Sequence, residues 1–385
     1  MRILVLGGGL MGPAAAFNAM ADPDVTRVTI CDASDAQLEA CREKLAPLEG
    51  GDKLDTVQLD LADEAAAAQL LGEYDVAVGA LPWRASVLAI RAAFESGTPL
   101  VDLAIPDYEQ VLAFRQEAEA RGRLVILGCG LEPGLTEIVS RHLAQEMERI
   151  DELYIKCGGI PEVPAGPLGY KIVFGGRQMP LHESDALVVR DGKLEPVPRY
   201  SDVERAEFAD VGECEAWHEG FMPWLLELPE LKGLQVGTQK TLRWPGYAAK
   251  VTVLKEMGLL SEKPVQVGNV EVAPKALLDV LLYPRVRLEE GERDITLFRV
   301  EAVGEADGHR LRVRVDMVDR YDEVLGFTSM ARTTSFTGAI VARMVARGDL
   351  AGVGVLPPEQ LLTGPLYERL MGELDALGIR FETVE

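Results

Sequence analysis

The first 130 residues alternate short apolar runs with longer segments whose apolar residues recur at helical spacing. The apolar runs are rich in Val, Ile and Leu and predict six strands: Arg2–Leu6, Arg27–Cys31, Asp55–Asp60, Asp75–Ala80, Pro99–Leu103 and Arg123–Gly128. The segments between them predict five helices: Gly12–Met20, Asp35–Ala46, Asp63–Leu71, Ala85–Glu95 and Tyr108–Ala120. This alternation predicts an α/β fold with a Rossmann-type, doubly wound parallel sheet.

Beyond residue 130 the pattern changes to strand-like runs joined by hairpin turns. The runs are Glu152–Cys157, Tyr170–Phe174, Ala186–Val189, Ile295–Ala302 and Arg310–Val318, and helices are predicted over Tyr247–Met257 and Pro274–Leu281. We therefore expect a mixed, largely antiparallel second domain over 131–330, inserted after a dinucleotide-binding domain over 1–130. A helix over 329–350 carries small residues on one face, so we expect the 331–385 segment to pack closely on the first domain.

Charge and cysteine content narrow the class of protein. With 39 basic and 62 acidic residues the formal net charge is −23, which would repel a nucleic-acid backbone and attract small cationic ligands. The five cysteines form no C-x-x-C pair, which argues against a disulfide framework or a metal site and favours the cytoplasm. No apolar run reaches the roughly 18 residues of a membrane span.

The stretch LGGGLMG contains a G-x-G-x-x-G pattern, formed by Gly7, Gly9 and Gly12 around Leu10 and Met11. It directly follows a predicted strand and opens a predicted helix, which is the context of a dinucleotide site. In that site the helix N-terminus holds the pyrophosphate. Asp32, 20 residues beyond Gly12, would accept a hydrogen bond from the ribose 2′-hydroxyl. The residues after Asp32 include no cation for a 2′-phosphate, so we expect NAD rather than NADP.

Other candidates lie where predicted strands end, because ligands of such sheets bind beyond the carboxyl ends of the strands. Asp60 would face the adenine or cap a turn, and the nicotinamide side would be lined by Gly79, Ala80, Leu81 and Pro82. Asp102 and Glu132 follow the fifth and sixth strands. Either carboxylate could bind a substrate ammonium and take its proton, or could instead cap a helix or form an interdomain hydrogen bond.

Several segments together resemble the saccharopine dehydrogenase family, especially its shorter lysine 6-dehydrogenase-like members. They are VDLAIPDYE (101–109), GCGLEPGLTEIVSRHL (128–143), CGGIPE and GPLGYKIVF (157–174), LRWPGYAAKVTVLKEMGLL (242–260) and SMARTTSFTGAIVARMVARG (329–348). The resemblance implies a nucleotide-binding domain, an inserted substrate-binding and dimerisation domain, and reversible oxidation at a carbon that bears nitrogen.

The matching segments suggest further site residues. Tyr170 and Lys171 lie in the GYK stretch, where Lys171 would shuttle a proton or remain a solvated lysine. Arg243 precedes a Trp-Pro-Gly turn that opens a helix, and its guanidinium suits a substrate carboxylate, reinforced by the N–H groups of that helix. It could instead form an ion pair within this acidic protein. Tyr247 and Lys250 share one face of the same helix as weaker candidates.

These observations lead to one functional hypothesis and two alternatives. We expect an NAD(P)-dependent dehydrogenase, with NAD preferred, that oxidises lysine at the ε-carbon to the semialdehyde and forms a homodimer. The first alternative is a saccharopine-type or carboxynorspermidine-type reductase that forms a secondary amine. The second alternative is a non-enzymatic nucleotide sensor.

Overall fold

The computed structural model describes residues 1–174, 176, 179–289 and 291–384. The chain divides into two compact units. Unit 1 contains Met1–Ile138 and Asp322–Ile379, and unit 2 contains Val139–Tyr321 and the last residues from Arg380. The chain therefore passes between the units at 138, 321 and 379, not at the predicted 130 and 330.

The strands and helices are numbered along the chain. The strands are β1 (Arg2–Leu6), β2 (Arg27–Asp32), β3 (Leu54–Gln58), β4 (Val76–Gly79), β5 (Leu100–Asp102), β6 (Leu124–Ile126), β7 (Arg149–Pro161), β8 (Ala186–Arg190), β9 (Lys193–Val197), β10 (Glu204–Phe208), β11 (Gly212–His218), β12 (Val236–Arg243), β13 (Val265–Val267), β14 (Val270–Val272), β15 (Asp294–Ala306), β16 (His309–Arg320), β17 (Gly354–Leu356) and β18 (Glu382–Val384). The α-helices are α1 (Gly12–Met20), α2 (Asp35–Leu45), α3 (Glu64–Leu71), α4 (Trp83–Ser96), α5 (Tyr108–Arg121), α6 (Leu135–Gln145), α7 (Tyr247–Glu256), α8 (Pro274–Val286), α9 (Ser329–Arg347) and α10 (Pro365–Ala376).

Unit 1 contains a parallel sheet of seven strands in the order β17-β6-β5-β4-β1-β2-β3. Its central strands are buried on both faces, as expected for a parallel sheet covered by helices. The six predicted strands are present, and β17 from the C-terminal segment adds an unpredicted seventh beside β6. β3 ends at Gln58, so Asp60 lies in the following turn and not at the strand end.

Helix α9 is buried along most of its length and packs against α1 within unit 1. A Cβ on Gly338 would lie 2.4 Å from Cδ2 of Leu103, so the small residue lets the helix approach the sheet. Polar contacts also join α9 to the first helix region. Ser335 donates to the Met11 carbonyl at 2.9 Å, and Arg343 pairs with Asp22 at 2.6 Å.

Unit 2 contains a mixed sheet with the main order β10-β11-β12-β7-β15-β16-β18, extended by the β8–β9 hairpin on β12. Only the β12–β7 pair in this sheet is parallel among the described strands, so the expected largely antiparallel sheet is confirmed. The prediction of a strand over Tyr170–Phe174 is wrong. These residues form a loop with one bridge from Ile172 to Arg287, because their side chains are buried against α7 and α8.

β13 and β14, which lie between α7 and α8 along the chain, form a separate two-stranded ribbon.

In the described part of the chain, no helix combines the length and apolar character needed to cross a membrane.

Candidate functional site

The glycine loop between β1 and α1 has three glycines with different surroundings. Gly7 has a φ of 102°, and a Cβ there would lie 2.5 Å from the Ala80 carbonyl oxygen. A Cβ on Gly12 would lie 1.8 Å from the Gly7 carbonyl oxygen. No atom of the described residues lies within 4 Å of a Cβ built on Gly9, so the structure leaves open space there.

Four consecutive N–H groups, of residues 9–12, have no hydrogen-bond acceptor among the described residues. They precede or open α1, which has no side-chain cap. Unpaired N–H groups and the positive end of the helix dipole attract phosphate. The loop therefore fits the pyrophosphate of a dinucleotide, with Leu10 exposed and Met11 half-buried at its rim.

Asp32 lies at the end of β2 beside this loop. Its carboxylate accepts hydrogen bonds from the N–H groups of Gly8 and Ser34, both at 2.8 Å. Each carboxylate oxygen retains a further acceptor site, which suits a ribose hydroxyl. Among the described residues no ion pair joins Asp32 to a lysine or arginine. The site is thus anionic where a 2′-phosphate would bind.

The sequence analysis missed Cys41, which supports the loop from α2. Its thiol contacts the Gly8 carbonyl oxygen at 3.4 Å, and burial raises the pKa of the thiol to about 11. The one signal for Cys41 in the sequence is its place among the apolar positions of the predicted helix, which predicts a buried side chain. Asp60, in contrast, is exposed and accepts from the Ala62 N–H at 2.9 Å, which is the contact of a turn cap.

The segment after β4 lies against the glycine loop. Cδ2 of Leu81 would be 3.2 Å from a Cβ on Gly7, and Cγ of Asp102 would be 2.7 Å from a Cβ on Gly79. Pro82 is exposed and precedes α4. The structure therefore brings the predicted nicotinamide wall and the first glycine together within unit 1.

Asp102 is completely buried at the end of β5. It accepts a short hydrogen bond from the Ser86 hydroxyl and one of 2.9 Å from the Ala104 N–H. Burial raises the pKa of Asp102 to about 7, although both hydrogen bonds oppose the shift. The carboxyl group can consequently gain or lose a proton near neutral pH.

Glu132 is half-buried in the loop between β6 and α6. The Cys129 N–H donates to the Asp102 carbonyl at 2.8 Å, so the backbone segments that carry the two acids are hydrogen-bonded to each other. Both predicted carboxylates thus lie at the carboxyl edge of the unit 1 sheet, where the ligands of such sheets bind.

In unit 2, Arg243 lies at the end of β12 among aromatic rings. Its guanidinium carbon is 4.5 Å from the Tyr170 ring centre and 5.7 Å from that of Tyr247. Tyr247 stacks on Trp217 with 5.9 Å between ring centres, and Trp217 contacts Tyr200 at 4.8 Å. We call these four rings, Tyr170, Tyr200, Trp217 and Tyr247, the aromatic cluster.

The Arg243 side chain is only 4% exposed, yet no ion pair joins it to a carboxylate in the described part of the chain. Among the described residues its guanidinium donates to the neighbouring Leu242 carbonyl at 2.7 Å. Its Nε and the Nε1 of Trp217 are buried without a hydrogen-bond partner among these residues. A buried charge is costly unless it is paired, so this cluster fits an anionic group of a ligand.

We expected the N–H groups of α7 to help bind a substrate carboxylate, but in the structure Glu215 already occupies the start of this helix. Its own carboxylate accepts from the N–H groups of Gly246 at 2.7 Å and Ala248 at 2.6 Å. Glu215 lies directly opposite Arg243 on the paired strand β11. The sequence analysis missed it and Trp217, although their alternate spacing in ECEAWH places both on one face of a strand.

Two predicted lysines lie outside this arrangement. The Lys171 ammonium pairs with Glu292 at 2.8 Å and donates to the Arg287 carbonyl at 3.1 Å, so these contacts attach the loop to the end of α8. Lys250 is exposed on α7, while Tyr247 on the same helix is buried. The structure therefore brings together Tyr170, Arg243 and Tyr247 but leaves Lys250 on the surface.

Comparison with known proteins covers nearly the whole chain. The saccharopine dehydrogenase NADP binding domain matches residues 3–126, and the saccharopine dehydrogenase C-terminal domain matches residues 130–379. A solved apo structure of saccharopine dehydrogenase (L-Glu forming) from Saccharomyces cerevisiae aligns over 100% of both chains, with a TM-score of 0.79 and 21% identity. That likeness shows the same fold.

Curated relatives point to the same family. The saccharopine dehydrogenases (NADP(+), L-glutamate-forming) of Schizosaccharomyces pombe and Saccharomyces cerevisiae are both 23% identical, over 85% and 93% of this chain and 87% and 93% of their own. The carboxyaminopropylagmatine dehydrogenase of Synechocystis is 22% identical over 97% of this chain and 96% of its own. The chain belongs to the saccharopine dehydrogenase family and is a pyridine-nucleotide-dependent oxidoreductase that acts on an amino-acid CH–NH group.

Proposed function

We propose that this enzyme oxidises a cationic amino acid, with lysine as the leading candidate, at the side-chain carbon that bears nitrogen, and that NAD is the acceptor. The observation that carries the proposal is the buried Arg243 without a carboxylate partner in the described chain. An α-carboxylate would supply the missing charge, and the Nε1 of Trp217 offers it a second donor.

Glu215 supports a substrate with a single carboxylate at this end. Its charge lies opposite Arg243, and it already accepts from the Gly246 and Ala248 N–H groups at the start of α7. A second substrate carboxylate would therefore meet repulsion there. Lysine has one carboxylate, and its other end is an ammonium. The inserted unit would thus bind the amino-acid end of the substrate.

For the amine end we propose Asp102 or Glu132. The bound nicotinamide supplies a hydride acceptor. The carboxylate takes a proton from the substrate ammonium, and the carbon–nitrogen bond becomes a double bond as hydride leaves the ε-carbon. Water then adds with base assistance, ammonia leaves, and an aldehyde remains. The raised pKa of Asp102, about 7, suits such a proton acceptor near neutrality.

The preference for NAD rests on Asp32. The named yeast relatives use NADP, but here a 2′-phosphate would lie beside a carboxylate without a paired cation among the described residues. We expect calorimetry to show tighter binding of NADH than of NADPH, and Asp32→Ala to weaken NADH binding and reduce the difference. Tighter binding of NADPH by the unmodified protein would contradict the proposal.

The second candidate is a reductase that joins an amino acid to a carbonyl compound through a secondary amine, and the names of the three relatives favour it. A single assay separates the candidates. Nicotinamide absorbance is followed with lysine and other diamines plus NAD or NADP, and separately with keto acid plus amino acid and the reduced cofactor. Turnover only in the second mixture would establish the reductase.

The roles are tested by substitution. Arg243→Ala should raise KM for lysine at least tenfold with a smaller change in kcat, and Arg243→Lys should restore part of the loss, because it keeps the charge but not the fork. Of Asp102→Asn and Glu132→Gln, the one that removes the base should lower kcat by about 100- to 10,000-fold. Unchanged rates in all of these variants would disprove the assignment.

A further inference from the structure

Within the glycine loop, both polar backbone groups of Gly8 are bound by side chains of other elements. The Gly8 N–H donates to the Asp32 carboxylate at 2.8 Å. The Gly8 carbonyl oxygen lies 3.4 Å from the Cys41 thiol. Asp32 ends β2 and Cys41 lies in α2, so two different elements hold this one residue.

The contact between Cys41 and Gly8 has a defined direction. A carbonyl oxygen can only accept a hydrogen bond, so the thiol is the donor. Burial, together with the nearby charge of Asp32, raises the pKa of Cys41 to about 11. The thiol therefore keeps its proton at neutral pH and can donate it to the carbonyl.

A held carbonyl also fixes the N–H at the other end of the same peptide group. The peptide plane is rigid, and in a trans peptide the C=O and N–H point in opposite directions. Glu132–Pro133 is the one cis bond of the described chain, so the Gly8–Gly9 bond is trans. The Gly9 N–H therefore points away from Cys41. Because Gly8 is buried and Gly9 is exposed, that direction leads to the open side of the loop.

The other fixed points of the loop do not replace this contact. The Gly7 N–H donates to the Cys31 carbonyl at 2.8 Å, and the Met11 carbonyl accepts from α9. For the Gly8 carbonyl, Cys41 is the one donor among the described residues. Without it, the peptide between two adjacent glycines would have few restraints on its rotation, because glycine populates most backbone conformations.

Orientation of this peptide matters for the ligand. The Gly9 N–H is the first of the four N–H groups of the loop that have no acceptor in the described chain, and such groups bind phosphate. A donor that is already oriented loses less entropy when the ligand binds. A side chain that orients the peptide therefore increases the affinity without touching the ligand.

We propose that Cys41 is a positioning residue of the dinucleotide site, whose thiol holds the Gly8–Gly9 peptide so that the Gly9 N–H is presented to the pyrophosphate. The inference does not depend on the amino-acid substrate or on the choice between NAD and NADP. The rival explanation is packing alone, because a buried cysteine also acts as a small apolar residue. In that case an apolar side chain of similar size would serve equally well.

Two substitutions separate these explanations. Cys41→Val fills the space of the thiol but cannot donate, and Cys41→Ala removes the thiol. We expect both to weaken the binding of NADH, and of ADP-ribose, which has the pyrophosphate but no nicotinamide, by about three- to fivefold, the effect of one weak hydrogen bond. The matched control is Cys214→Ala, which removes a buried thiol of unit 2 whose pKa burial also raises to about 11. It should leave both affinities unchanged.

The orientation itself is measured without ligand, by NMR relaxation of the backbone amides. The Gly9 N–H should have an order parameter of about 0.85 in the unmodified protein, as in rigid backbone, and below about 0.6 in both Cys41 variants. Circular dichroism shows whether the variants are folded, and if Cys41→Val is not, Cys41→Ala is compared with Cys214→Ala. A folded Cys41→Val variant that binds NADH as tightly as the unmodified protein would overturn the proposal. An unchanged Gly9 order parameter in Cys41→Ala would also overturn it.

Discussion

Three glycines in one loop illustrate how the same residue type meets different requirements. The surrounding protein requires glycine at positions 7 and 12, because a Cβ on Gly7 or Gly12 would lie 2.5 Å or 1.8 Å from a backbone carbonyl oxygen. Gly9 has no protein atom within 4 Å of a Cβ. No protein contact in the structure therefore requires a glycine there, and we expect the requirement to come from the bound dinucleotide.

This contrast predicts opposite effects of two alanine substitutions. Gly9→Ala should change the free energy of unfolding by less than about 0.5 kcal/mol but weaken dinucleotide binding at least tenfold, because its methyl group occupies the ligand space. Gly12→Ala should destabilise the protein by about 3 kcal/mol or more, because the loop must move. Denaturant unfolding and NADH titration measure both, and a Gly9→Ala variant with unchanged affinity would contradict the assigned site.

Asp102 makes stability depend on pH in a defined direction. Its pKa of about 7 in the folded protein exceeds its ordinary value of 3.8, so the folded state binds the proton more tightly than the unfolded state. Its contribution to stability is complete below about pH 4 and is lost as the pH rises through about 7. The loss amounts to at most about 4 kcal/mol.

Asp102→Asn should remove this dependence. An asparagine oxygen can accept from the Ala104 N–H, and its amide can donate to the Ser86 hydroxyl, so the contacts are kept without a titrating group. The stability of the variant relative to the unmodified protein should increase between about pH 4 and pH 8. Urea unfolding across that range is the measurement, and parallel pH profiles would show that Asp102 titrates normally.

At the level of elements, the start of α7 depends on a side chain from another strand. The helix has no side-chain cap of its own, and Glu215 on β11 accepts from two of its first N–H groups. This contact also fixes Tyr247, the first residue of the helix, beside Arg243.

Glu215→Ala should destabilise the protein by about 1–3 kcal/mol, because the half-buried N–H of Gly246 and the buried N–H of Ala248 lose their acceptor. Glu215→Gln keeps one acceptor and should cost less. It also removes the charge opposite Arg243, so it should improve binding of dicarboxylic amino acids relative to lysine. Thermal unfolding and competitive inhibition by dicarboxylates give the two readouts. Equal stability of the alanine variant and the unmodified protein would exclude the capping role.

At the level of the whole molecule, unit 1 is assembled from two distant parts of the chain. The C-terminal part supplies α9, which packs on α1, and β17, which pairs with β6. Ser335 of that part also holds the backbone of the glycine loop at Met11.

A chain that ends at residue 321 should therefore lose dinucleotide binding, although it contains the complete glycine pattern. The matched control ends at Ile379 and lacks only β18, which pairs with β16 at the edge of the unit 2 sheet. It should retain binding. Fluorescence titration with NADH measures both. If the chain ending at 321 bound NADH normally, the C-terminal part would have no role in forming the site.

The local spacing of residue types was sufficient to predict much of the fold of this protein. The alternation of strands and helices, the glycine pattern and Asp32 are each encoded within about 30 contiguous residues, where periodicity and turn chemistry act directly. These features led to the correct fold class, and the resemblance of five segments between positions 101 and 348 led to the correct family. The small residues of α9 likewise predicted that this helix packs closely on a neighbouring element.

Contacts between distant segments determined the features that the sequence patterns did not predict. The apolar run at Tyr170 predicted a strand, because such a run indicates buried side chains but not the element against which they pack. In the structure Tyr170 and Ile172 pack against α7 and α8. Asp60 was displaced from its strand by a local turn. Two features depend on which strands lie side by side. They are the hydrogen bonds from the Gly246 and Ala248 N–H groups to Glu215, and the contacts of Arg243 with the rings of Tyr170 and Tyr247. Strand order and register are set by the packing of the whole sheet, and no local period in the sequence encodes them.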